Sequence, residues 1–337
     1  MVCGGTSNET RVHRLALIAS CVLALSASAP VETQTKQGDA TTAGRQPSFG
    51  MYVPPNEQHP AVALPIWKQS NHGAYVSVGT ERSFMGAAVT QAEALVVIDY
   101  DAAIVEFAAI NRALLAVSHG REDYITLRLT ASPEVWAKRA AEVGLEDAKT
   151  LRDKNAFAFW RAKVRENTTA WSAAFEHFNK QASKPDGAFV QTNYMFDDQL
   201  YEHLHQLAQK GRIWMRTVDL RDEQAVRRLC EDIRAKGWRL GVVDTSNVQD
   251  VAEAGPAAAG QYVAWFSPFA EDDTLFLNTE RANRQADTYW SYFAFRGKTV
   301  KGRDAKTIER WYKKEIAKLG SDEQTRADVD DREIVLR

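Results

Sequence analysis

An apolar run that ends in glycine, a short helix-compatible segment, and a second apolar run that ends in acid fill Ala74–Asp101 (AYVSVGTERSFMGAAVTQAEALVVIDYD). Gly79 and Asp99 stand 20 residues apart. That is the interval between the glycine turn and the ribose-binding carboxylate of a nucleotide-binding βαβ unit. A chain with such a unit is held to a parallel α/β sheet that carries its ligand groups at the carboxyl ends of the strands.

The rest of the sequence continues the rhythm. Strands are expected at Ala74–Val78, Leu95–Tyr100, Tyr124–Leu129, Ile213–Leu220, Leu240–Val243, Tyr262–Phe266, Thr274–Asn278 and Tyr292–Phe295. Ala102–Val117 reads as a helix with apolar residues at 104, 107, 110, 114 and 117. Asp198–Lys210 and Asp222–Lys236 read as helices closed by Gly211 and Gly237, and Asp304–Leu319 as a last amphipathic helix. Residues 132–182 break the alternation: helix formers and aromatics, among them Trp136, Phe157, Trp160, Trp171, Phe175 and Phe178, predict a helical insertion placed as a cap over the site. The expected fold is Rossmann-like α/β: one domain over 51–320 with a mostly parallel central sheet flanked by helices, then a charged tail over 321–337.

Forty-two basic and 44 acidic residues offer no basic excess for nucleic acid, so none is expected as a partner. The first 29 residues read as an export signal: Arg11 and Arg14 form a basic region, Leu15–Leu25 an apolar run, and Ala27-Ser28-Ala29 a cleavage site. A second reading takes Ile18-Ala19-Ser20-Cys21 as a lipobox, which would anchor the chain to a membrane through Cys21. Residues 30–50 are a polar tether. The expected location is the periplasm or cell envelope, or the cytoplasm if the leader is no signal. Of three cysteines, only Cys230 lies beyond the leader, in a helical pattern that favours a buried, inert thiol.

The chemistry-bearing residues gather at predicted strand ends. Gly79, Thr80, Glu81 and Arg82 form the first loop, where Arg82 either takes a ligand carboxylate or joins Glu81 in capping the helix. Asp99, Tyr100 and Asp101 follow the second strand. One carboxylate there suits ribose hydroxyls and Tyr100 suits a base, while Asp101 is placed to cap the next helix, a contribution of about 1 kcal/mol. The same Asp-x-Asp string suits a Mg²⁺-dependent phosphohydrolase with Asp99 as nucleophile. Asp219 and Asp244 end two later strands, and Asn193, Tyr194 and Asn247 are candidates to line a pocket. No catalytic residue is assigned. No metal site is expected, since His203 and His205 lie two apart on a helix and face different sides.

In its order of elements the chain resembles the class I S-adenosylmethionine-dependent methyltransferase superfamily over roughly residues 74–300, through Gly79, Asp99 or Asp101, Asp219 and Asp244-Thr245-Ser246-Asn247. It also resembles an uncharacterised bacterial exported branch of that fold with the strings VGTERSF, DYD and TNYMFDD. The resemblance implies S-adenosylmethionine as cofactor, with Asp99 on the ribose, Gly79–Arg82 on the methionine part, and Asp219 or Asp244 on adenine or substrate. The glycine loop is degenerate, with Ser77 in place of an acid and one glycine in place of three. Three readings stay open: methyl transfer to a small molecule, a non-catalytic envelope protein that binds a nucleoside-like ligand, and phosphoester hydrolysis at Asp99 and Asp101.

Overall fold

A computed structural model describes residues 60–165, 191–248, 255–281, 290–319 and 327–330. The expected leader, the tether, the later part of the insertion with Trp171, Phe175 and Phe178, and most of the tail lie outside the described residues.

The fold is Rossmann-like α/β. Seven strands form one sheet: β1 (Ala74–Val78), β2 (Leu95–Asp99), β3 (Ile213–Thr217), β4 (Leu240–Asp244), β5 (Leu275–Arg281), β6 (Trp290–Arg296) and β7 (Ala327–Asp330), in the order β3-β2-β1-β4-β5-β6-β7. The first five run parallel to their neighbours, β6 is antiparallel to β5, and β7 is parallel to β6. Strand order reverses between β1 and β4, which makes their carboxyl ends the switch point where open α/β sheets bind ligands.

The central strands are apolar on both faces because both are covered. Tyr75, Leu95, Val97, Val242, Leu275 and Leu277 face one apolar cluster, whereas Ala74, Val76, Val96, Ile98, Val243 and Phe276 face the other. The first cluster takes the buried sides of α1 (Glu81–Val89), α2 (Ala102–Val117), α3 (Arg121–Leu129), α4 (Pro133–Val143), α5 (Lys154–Arg165) and α6 (Asp198–Gln209). The second takes those of α7 (Glu223–Ala235), α8 (Gly255–Phe266) and α9 (Ala305–Leu319). Among the described residues no helix is long and apolar enough to cross a membrane.

Two expected strands are helices. Tyr124–Leu129 belongs to α3, where Tyr124, Ile125, Leu127, Arg128 and Leu129 are all buried. A helix covered on most sides loses the 3.6-residue stripe, and the remaining alternation imitates a strand. Tyr262–Phe266 is the second half of α8, whose alanine-rich start carries Pro256 at its second position, as helix entries favour. A short apolar run cannot be told from a strand by periodicity alone.

The described part of the insertion is helical, as expected. Ser132 caps α4 by accepting from the Val135 N–H (3.4 Å), and Gly144, at φ +65°, ends it. Trp136 and Trp160 donate their indole N–H groups to the carbonyls of Leu127 (2.7 Å) and Arg128 (2.9 Å), which fasten the insertion to α3. Trp160 also stacks on Phe107 of α2 at 4.2 Å between centroids.

One glycine of α1 is dictated by packing. A Cβ at Gly86 would lie 2.2 Å from both Cζ and the hydroxyl of Tyr75, a ring with no exposed surface. Gly86→Ala should therefore cost about 1–3 kcal/mol in a denaturant titration despite alanine's better helix propensity. A neutral or stabilising result would contradict this packing.

Candidate functional site

The loop after β1 is built on Gly79, whose φ of +85° lies in the left-handed region that glycine adopts without strain. Its N–H donates to the Ile98 carbonyl (3.2 Å), so the turn is fastened to β2 beside Asp99. A Cβ at Gly79 would meet nothing within 4 Å, so the space in front of this Cα is open. Thr80 is buried and occupies the N-cap position of α1 without a side-chain capping bond.

Glu81 and Arg82 do not pair with each other. Both turn inward, in different directions, and each meets an opposite charge. The Glu81 carboxylate is ion-paired to Arg128 and accepts from the Tyr194 hydroxyl (2.9 Å). Arg128 has no exposed surface and also donates to Asn111 (3.1 Å), Tyr124 (2.8 Å) and Tyr194 (3.2 Å) while lying over the Trp160 ring. Burial alone would lower its pKa, but the Glu81 charge outweighs that and holds the guanidinium above its ordinary range. Burial, followed by the Glu81 charge, raises the Tyr194 hydroxyl well above its usual value, and Tyr124 is pushed up to about 12, chiefly by burial. This cluster is a buried, charge-paired and hydrogen-bonded polar core under the loop.

Arg82 reaches the end of β4. Its Nε and Nη2 donate to Asp244 at 3.1 and 2.9 Å in a bidentate pair, and Nη1 donates to Thr279 (3.2 Å) and Ser246 (3.4 Å). The Tyr292 ring lies 5.2 Å from the guanidinium carbon. Asp244 also accepts from the Tyr75 hydroxyl (2.6 Å), which in turn accepts from the Trp67 indole (2.9 Å). Burial and then the Asp244 charge push the Tyr75 hydroxyl well above its ordinary pKa. Next to Asp244, Ser246 holds a left-handed backbone (φ +50°), braced by its N–H to Asp244 (3.0 Å) and by the Thr279 N–H to its carbonyl (2.9 Å). Strain of this kind at a strand end is a common companion of functional sites. Asn247 is half-buried and accepts from the Ser246 hydroxyl (3.2 Å).

Asp99 is different. It is 9% exposed, at the end of β2, and its Oδ1 accepts from the Asp101 N–H (2.9 Å). The nearby N–H groups of Gly79 and Tyr100 also favour its charged form, and among the described residues no basic side chain pairs with it. Burial dominates these donors and raises its pKa to about 6. Tyr100 is 49% exposed beside it. The Asp101 carboxylate accepts from the Ala103 N–H (2.9 Å) and caps α2, as expected.

The strand register places Asp99 and Asp244 at one edge of the sheet, on the two sides of β1. Asp219 follows β3, which ends earlier than expected, at Thr217. It pairs with Arg221 (2.6 Å), whose contacts hold its carboxyl below the usual range although burial acts in the opposite direction. Asn193 and Tyr194 are fully buried. Asn193 turns its carbonyl to the Met195 N–H (2.9 Å), and Asp197 caps α6. His203 and His205 contact the carbonyls of Ala92 (3.0 Å) and Leu115 (2.7 Å), on separate sides of α6. The buried Cys230 thiol is pushed up to about 12 by burial, consistent with an inert group. Among the described residues no cluster of three metal-ligating side chains occurs.

Sequence reasoning missed Arg128, Asn111, Tyr75 and Trp67. The chain belongs to the family described as Domain of unknown function (DUF7790), whose model matches residues 52–330. No curated protein matches it. The matched span contains Gly79, both inward ion pairs and Asp99, so the DUF7790 unit holds the entire candidate site.

Proposed function

We propose that this chain binds a nucleoside-like small molecule at the carboxyl edge of β1 and β2, with Asp99 accepting the two ribose hydroxyls and Tyr100 lying beside the base. The observation that carries this reading is Asp99 itself. It is a buried carboxylate with no basic partner among the described residues, next to a glycine that opens onto free space and an exposed aromatic ring. A carboxylate kept in such a place costs stability, and that cost has a reason if a ligand supplies further donors.

The sheet supports a single nucleoside over a dinucleotide. A dinucleotide site spans two parallel βαβαβ halves, and here the strand beside β5 is antiparallel. The element order supports a scaffold of the class I methyltransferase type, and methyl transfer from S-adenosylmethionine would be the enzymatic form of the same ribose contact. The phosphohydrolase alternative has less support, because the Asp101 carboxylate is directed at the N-terminus of α2. If the leader is cleaved, the ligand is met in the cell envelope; sequencing the mature N-terminus tests that.

Calorimetry with adenosine and 2′,3′-dideoxyadenosine tests the reading. Adenosine should bind, while the dideoxy compound and the Asp99→Asn variant should each lose at least tenfold in affinity. Affinity for adenosine should also fall below about pH 6, where Asp99 gains its proton. Stability should move the other way. The unfolded carboxyl ionises near 3.8 and the folded one near 6, so the burial cost builds up between these values and is complete above them. Asp99→Asn should then be more stable by on the order of 2–3 kcal/mol at pH 7, with the gain gone near pH 4. Equal binding of adenosine and its dideoxy analogue would overturn the assignment.

A further inference from the structure

We infer that the nucleoside site takes ligands without a charged amino-acid tail, so that neutral nucleosides and 5′-thioethers are its ligand class and the amino-acid end of S-adenosylmethionine is not recognised. This rests on the nucleoside reading above and narrows it. The loop after β1 carries two charged side chains, Glu81 and Arg82, and these are the groups it could offer to an ammonium and a carboxylate. Both are spent inward. Glu81 is 2% exposed and committed to Arg128 and Tyr194; Arg82 is 4% exposed, with Nε and Nη2 on Asp244 and Nη1 on Thr279 and Ser246.

To meet a ligand carboxylate, Arg82 would have to leave a bidentate partner and deprive Asp244, a carboxylate with no exposed surface, of its guanidinium. Releasing one member of a buried pair exposes the other to the full desolvation penalty, and an exchange of one carboxylate for another returns little of it. The same holds for Glu81 and a ligand ammonium, since Arg128 would be left charged in the core. The loop is electrically closed. A zwitterionic tail in front of it would lose water without gaining a counter-charge from either charged side chain of this loop, whereas a methyl or hydroxyl at the ribose 5′ position meets the open space at Gly79 without that loss.

The test is a calorimetric series on the full chain at pH 7.5 with adenosine, 5′-methylthioadenosine, S-adenosylhomocysteine and S-adenosylmethionine. 5′-Methylthioadenosine keeps the thioether of S-adenosylhomocysteine and lacks the amino acid. The expected result is that adenosine and 5′-methylthioadenosine bind at least as tightly as the two amino-acid-bearing compounds. S-adenosylhomocysteine binding tenfold or more tightly than 5′-methylthioadenosine would overturn the inference and leave the nucleoside reading standing. No binding by any of the four would overturn both.

Discussion

Arg128→Met should cost this protein about 3–5 kcal/mol of stability, read as a shift in denaturant midpoint at unchanged slope. The side chain is fully buried, and its removal strands the Glu81 carboxylate with Tyr194 as its remaining named partner. Asn111 and Tyr124 lose a charged donor at the same time. A deficit of that size is a large part of the net stability of an ordinary domain. The double replacement Glu81→Leu with Arg128→Met should recover most of it, because a buried pair exchanged for apolar groups of similar volume is often neutral. A single-variant loss below about 1 kcal/mol would mean that the pair behaves as a solvated surface bridge.

Asp244→Asn should be of similar size, about 3–5 kcal/mol, although the amide keeps the shape of the carboxylate. The loss arises from Arg82, a buried guanidinium that gives up its bidentate carboxylate. Tyr75→Phe provides the control. It deletes the 2.6 Å hydrogen bond to Asp244 and keeps the ion pair, so it should cost about 1.5–3 kcal/mol, the range for a hydrogen bond to a charged group. The order Asp244→Asn above Tyr75→Phe, measured by urea titration of both variants, separates the charge from the hydrogen bond. The reverse order would place the energy in the Trp67–Tyr75–Asp244 chain of donors instead.

Local chemistry made much of the scaffold readable. Gly79 and Asp99 stand where their spacing places them because the intervening segment must form one helix and return to an adjacent parallel strand. Asp101, Asp197 and Asp222 all cap helices, a role that depends on neighbours within three residues. Long-range pairing was not readable. Nothing near residue 81 announces a partner 47 positions on, or near 82 one 162 positions on. The reading of Tyr124–Leu129 as a strand concealed the strongest clue, since on a helix Tyr124 and Arg128 lie one turn apart and present two polar groups to the same side. Asp244 looked like a ligand group for the same reason: a strand-end carboxylate reads identically whether it faces a ligand or a buried arginine.

The two consecutive charges of the loop also limit how this chain can drift. A change of sign at 81 or 82 is tolerable only with a matching change at 128 or 244, in an insertion-bound helix in one case and in a central strand in the other. The four side chains therefore form two interlocked pairs, and a descendant that reopens the loop to charged ligands must pass through two substitutions, the first of them unstable on its own.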